Sequence, residues 1–178
     1  MNLRPLPWLL LLASCGDGSE ADAAKARAAA KKEWALTLKV DGADVRVPLE
    51  VMNVLLIKRG DDPEIFEILG PGVALVGEFP AGVKVDYEEK WSNLFGKTVE
   101  LKTTGGDPRE PKNAVLTLPG KPELKVLGGS FVAEKFTGKW DGSEGDKTLR
   151  GRIRIRVQID GGEKTLEGTF AVNAVTWG

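Results

Sequence analysis

The sequence predicts an all-β protein, either an antiparallel β-sandwich or a partly closed barrel of about 9–11 short strands. Three observations predict it. Beyond Trp34, apolar and polar residues alternate over most of the chain, which is the period of a strand with one buried face. Glycine and proline separate the runs, at Gly60, Pro71, Pro80, Gly82, Gly105, Gly106, Pro108, Pro119 and Gly120. No internal repeat and no alternation of strands with helices is visible, which argues against a parallel sheet.

The first residues have a different logic. Arg4 is the only charged side chain before Cys15, and Leu6 to Ala13 is almost wholly apolar. A charged start and a short apolar run are the layout of a secretory signal. The run is far below the roughly 20 residues that span a bilayer as a helix. It ends in Leu12, Ala13, Ser14 and Cys15. This ending resembles the lipobox of bacterial lipoproteins, and the resemblance covers residues 1–15 only. It implies a signal peptide over residues 1–14, cleavage before Cys15, and lipid on Cys15. The membrane is then a partner through that anchor, since two or more acyl chains hold a protein stably at a bilayer. Gly16, not aspartate, follows the cysteine. By the family's sorting pattern this favours the outer membrane or a periplasm-facing site in the cell envelope over the inner membrane.

Residues 15–33 read as a lipidated tether and spacer. Gly16 to Ala23 is small and acidic, and Glu20 to Glu33 is dominated by alanine with interspersed Lys and Arg. Such a segment has helix propensity but no apolar stripe, so it is a helical or disordered spacer. Residues 34–178 then form a single β-domain.

Within that domain Leu36, Leu38 and Val40 alternate with polar residues, as do Val45, Val47, Leu49 and Val51. Treating Asp41 to Asp44 as the turn puts Leu38 opposite Val47 and Leu36 opposite Leu49. Pro48 lacks an N–H and belongs on an edge or at a bulge. Further strands are predicted at 65–69, 73–79, 83–87, 99–103, 114–118, 124–127 and 130–140. Trp91, Leu94 and Phe95 suit one helical turn stopped by Gly96. The last third is the most regular. Leu149, Gly151, Ile153, Ile155, Val157 and Ile159 share one face, and Arg150, Arg152, Arg154 and Arg156 share the other. A turn built on Gly161 and Gly162 leads into Leu166, Gly168, Phe170, Val172 and Ala174, and pairs Val157 with Leu166 and Arg156 with Glu167.

Composition narrows function. The chain has no histidine, and Cys15 is its only cysteine. Ser-His-Asp and Cys-His catalysis and Cys/His zinc sites are therefore excluded. No nucleophile elbow or phosphate loop is present. The 25 basic and 26 acidic side chains nearly balance, which argues against nucleic acid as a partner. The acidic loop Asp141 to Asp146 lacks the spacing of a calcium loop, so neither a metal nor a cofactor is expected.

Two features are candidates for binding. The row Arg150, Arg152, Arg154 and Arg156 is a candidate site for an anion or a partner, because guanidinium forks suit paired oxygens. The plainer alternative is a solvated face that keeps a long strand soluble. Trp91, Trp140 and Trp177 are a candidate aromatic platform for a glycan or protein, although large aromatics are more often core. The expected function is thus a membrane-anchored envelope lipoprotein whose non-catalytic β-domain binds or scaffolds an envelope protein or glycan. Two alternatives stay open. One is a β-barrel carrier of an apolar ligand, and the other is a carboxylate-dependent hydrolase of envelope glycans.

Overall fold

The computed structural model describes residues 34–55, 64–85, 91–106, 111–138 and 147–177. The signal segment, Cys15, the Ala-rich spacer, Trp140 and the acidic loop 141–146 lie outside the described residues. The strands are Ala35–Val40 (β1), Ala43–Pro48 (β2), Val51–Leu55 (β3), Ile65–Gly70 (β4), Val73–Glu78 (β5), Thr98–Lys102 (β6), Thr104–Gly105 (β7), Lys112–Asn113 (β8), Val115–Thr117 (β9), Glu123–Thr137 (β10), Thr148–Ile159 (β11) and Gly162–Trp177 (β12). A 3-10 helix at Trp91–Leu94 is the one helical element among the described residues, and Gly96 follows it at φ 73°.

The all-β expectation holds, and the architecture is the barrel. The neighbours run β11-β10-β6-β5-β4-β3-β12, and a further pairing of β11 with β12 closes them into a ring of seven strands. β1 and β2 extend from the ring as a flap on β12. The strands are not uniformly short: β10, β11 and β12 are 15, 12 and 16 residues long. Leu124–Leu127 and the run after Ser130 belong to one strand, which passes through Gly128-Gly129 with a register shift between Val126 and Gly128. A bulge there bends the strand without ending it. Residues 83–85 form no strand.

The length of β12 explains the closure. Its Glu167–Ala171 stretch pairs with β1, and Ala174–Trp177 then pairs with β3. The second of these pairings is parallel, against the expectation of a purely antiparallel sheet. Between β2 and β3 the chain steps across Leu49 and Glu50 into the barrel wall. The Leu49 N–H donates to the Trp34 carbonyl at 3.1 Å and the Glu50 N–H to the Leu69 carbonyl at 2.8 Å, so the step leaves neither donor unsatisfied.

Both hairpin registers differ from the expected ones by two residues. Leu38 faces Val45 and Leu36 faces Val47. Ile155 faces Leu166, and Glu167 faces Arg154 instead of Arg156. The cause is turn chemistry. Each turn is a two-residue Asp-Gly loop with both residues left-handed: Asp41 at φ 50° with Gly42 at 86°, and Asp160 at 50° with Gly161 at 79°. This is the type I′ geometry that suits strand twist. A slip of two keeps every side chain on its predicted face.

A ring of seven strands has little room inside, and side chains fill it. Phe66 stacks on Phe79 with centroids 5.3 Å apart and meets Phe131 edge-on at 5.4 Å; Phe131 meets Phe170 edge-on at 5.4 Å. Two inward glycines make space for these rings. Gly77 is paired with Phe66 and Gly151 with Phe170. A Cβ on Gly77 would lie 2.5 Å from the Phe66 Cζ, and one on Gly151 would lie 2.8 Å from the Phe170 Cε1. One hydrophobic cluster runs without interruption from Trp34 to Ala174.

Candidate functional site

The four arginines stand where their spacing put them, on the outer face of β11 between β10 and β12. The pairings arrange that face in rows across the strands. One row reads Glu100, Ser130, Arg154, Glu167, Lys39, Asp44. The next reads Thr98, Val132, Arg152, Thr169, Thr37, Arg46. Arg154 faces Glu167 directly, whereas short side chains flank Arg152 and Arg156, so these two guanidinium groups reach sideways. Arg152 Nε donates to Glu134 Oε1 at 2.6 Å, and Arg154 donates to Glu167 Oε1 at 2.5 Å. Arg156 donates to the Leu127 carbonyl at 3.1 Å and lies 3.4 Å from Glu163 Oε1. Arg150 is engaged as well.

This is a charge ladder, not a bare cationic strip. The three paired arginine side chains are 49–70% exposed, and each such pair contributes about 0–1 kcal/mol. The ladder is therefore easily rearranged. A trough of about 490 Å³ opens beside the bulge, between Glu100, Lys102, Ser130, Arg154 and Arg156. Guanidinium groups donate hydrogen bonds in a planar fork, so this face is suited to hold paired oxygens.

The aromatic platform needs correction. Trp91 is fully buried and stacks on Phe136 with centroids 5.6 Å apart. It sits in the 3-10 helix packed under β10, whose Ala133 carbonyl accepts the Gly96 N–H at 3.1 Å. A bulky apolar ring at a helical turn on the sheet is core, and its Nε1 has no hydrogen-bond partner among the described residues. Trp177 is the last residue of β12, opposite Leu55. Trp140 and Cys15 lie outside the described residues.

Sequence reasoning missed two buried carboxylates. Glu64 accepts the Val85 N–H at 2.7 Å. Glu67 lies on the outer face of β4, where alternation marks it as solvent-facing, yet it is buried. The small β7–β8 hairpin covers it, and Lys112 Nζ approaches Glu67 Oε2 at 2.7 Å. Nothing local in Ile65–Gly70 signals that cover, because it comes from a distant segment. Both carboxylates are thus engaged in holding loops and strands together. No protein-family model, curated protein or solved structure matches the chain.

Proposed function

We propose that this chain is a lipid-anchored protein of the bacterial cell envelope whose β-barrel works by recognition at its outer surface. The location rests on Leu12-Ala13-Ser14-Cys15 behind a charged start and an apolar run. The mode of action rests on one observation above the rest. The middle of the barrel is occupied by Phe66, Phe79, Phe131 and Phe170 in mutual ring contact, while ion-paired arginines face outward. The closed ring is the wall that a carrier of apolar ligands needs. A ligand in this stretch of the interior would have to displace those rings, which favours an envelope protein or glycan bound from outside.

The anchor is tested by expressing the full chain and its Cys15→Ala variant in a Gram-negative host. The native chain is expected to partition into detergent with an acyl mass increment, and the variant to remain unprocessed or soluble. An unmodified Cys15 on a fully soluble native chain overturns the reading.

A further inference from the structure

We propose that β2 is a self-pairing edge, and that two copies of this chain join there into one continuous sheet. Among the described residues no strand pairs with the outer side of β2, which ends the sheet path. The two-residue turn makes Val40 and Ala43 the hydrogen-bonded pair that closes the hairpin. The main-chain groups of Ala43, Val45 and Val47 therefore face β1, and those of Asp44 and Arg46 point outward. At Pro48 the chain turns toward the barrel wall, so the usable edge is Ala43 to Val47.

The charges choose the partner and the register. The two rows described above end at this edge with opposite signs, in Asp44 and in Arg46. A two-fold axis through Val45 sets each Asp44 opposite the second copy's Arg46 and forms hydrogen-bonded pairs at both positions. The alternation Arg154, Glu167, Lys39, Asp44 then continues into the next molecule as another arginine. Sliding by one pair in either direction faces Asp44 with Asp44 or Arg46 with Arg46, which is repulsive. Asp44 already lies 3.3 Å from Lys39 Nζ, with side chains 71% and 64% exposed, and an open carboxylate can accept from both cations. The half-buried Val45 meets its copy on the inner face and extends the core cluster across the junction. A second copy therefore pairs the edge, matches its charges and covers the apolar face together, and the inference does not depend on lipid at Cys15.

The test measures the mass of the full chain by multi-angle light scattering across a concentration series. A dimer is expected. Arg46→Asp should weaken it about tenfold or more, because two symmetry-related attractions become repulsions. Asp44→Arg combined with Arg46→Asp should restore it. Both positions are exposed, so far-UV circular dichroism of the variants should match the native chain. A second measurement fixes the register. Val45→Cys in a Cys15→Ser background places the two thiol-bearing residues about 4.5 Å apart at a non-hydrogen-bonded pair, where a disulfide forms. Thr37→Cys, separated from its copy by the two paired β2 strands, should not cross-link. A monomer at the highest soluble concentration overturns the proposal. So does a dimer that ignores the charge variants and leaves Val45→Cys reduced.

Discussion

The β1–β2 and β11–β12 hairpins are built by one local rule and differ in everything around it. Each turns on an Asp-Gly pair with both residues left-handed, and each presents an apolar inner face. Their tips lie close enough for Lys164 Nζ to approach Asp41 Oδ1 at 3.4 Å. β11 and β12 are flanked on both sides, by β10 and by β1 and β3, so their main chain is paired along most of its length. β2 is six residues long and, among the described residues, has one strand neighbour. The turn sets register in both, whereas stability is set by the neighbours that bury each hairpin. Identical turn chemistry therefore serves a doubly flanked spine in one place and an edge hairpin in the other.

Substitutions can break or sharpen this contrast. The largest effect is expected in the spine. Phe170 is buried between Phe131 and Gly151, so Phe170→Ala should cost about 3–5 kcal/mol in a urea titration. A loss below about 1 kcal/mol would mean that the ring contacts are not the core. The turns should respond equally. Gly42 and Gly161 have open space at their Cβ positions, so alanine costs only the left-handed backbone, about 1–2 kcal/mol at either site. Unequal losses would show that the two turns differ in more than their neighbours. The smallest effect is expected on the outer face. Neutralising Arg152 and Arg154 by alanine should change stability by less than about 1 kcal/mol, because both pairs are exposed. A larger loss, or the loss of a captured envelope partner, would give the arginine row a role beyond solubility.

Much of this fold was legible in the sequence because alternation and turn residues are local signals. The inward sets on β1, β11 and β12 and the outward arginines were read correctly from period alone. The edge position of Pro48 followed from its missing N–H. Register differs by two residues at both hairpins, because Gly161-Gly162 and the four-residue Asp41–Asp44 compete with Asp-Gly in composition as turns. Gly128-Gly129 looked like a boundary because a bulge and a turn share composition. The parallel pairing of Ala174–Trp177 with β3 left no local trace, nor did the cover over Glu67. Both join segments far apart in the chain. Of the candidate site, the arginine row was visible, but its carboxylate partners depended on that register. Trp91 could not be assigned to core or surface until its neighbours were known.

The seam between β3 and β12 is the nonlocal closure of the ring. It consists of four residue pairs, Met52 with Ala174 through Leu55 with Trp177. The β4–β5 and β11–β12 hairpins need only nearby residues and can form within microseconds. The seam must bring together strands separated by most of the described chain, at a loop-closure cost no local contact offsets in advance. Trp34 and Thr148, joined by a 3.2 Å hydrogen bond across 114 residues, add a second contact of the same nonlocal kind. Closing the ring therefore adds a nonlocal contact of the kind that raises contact order and slows folding.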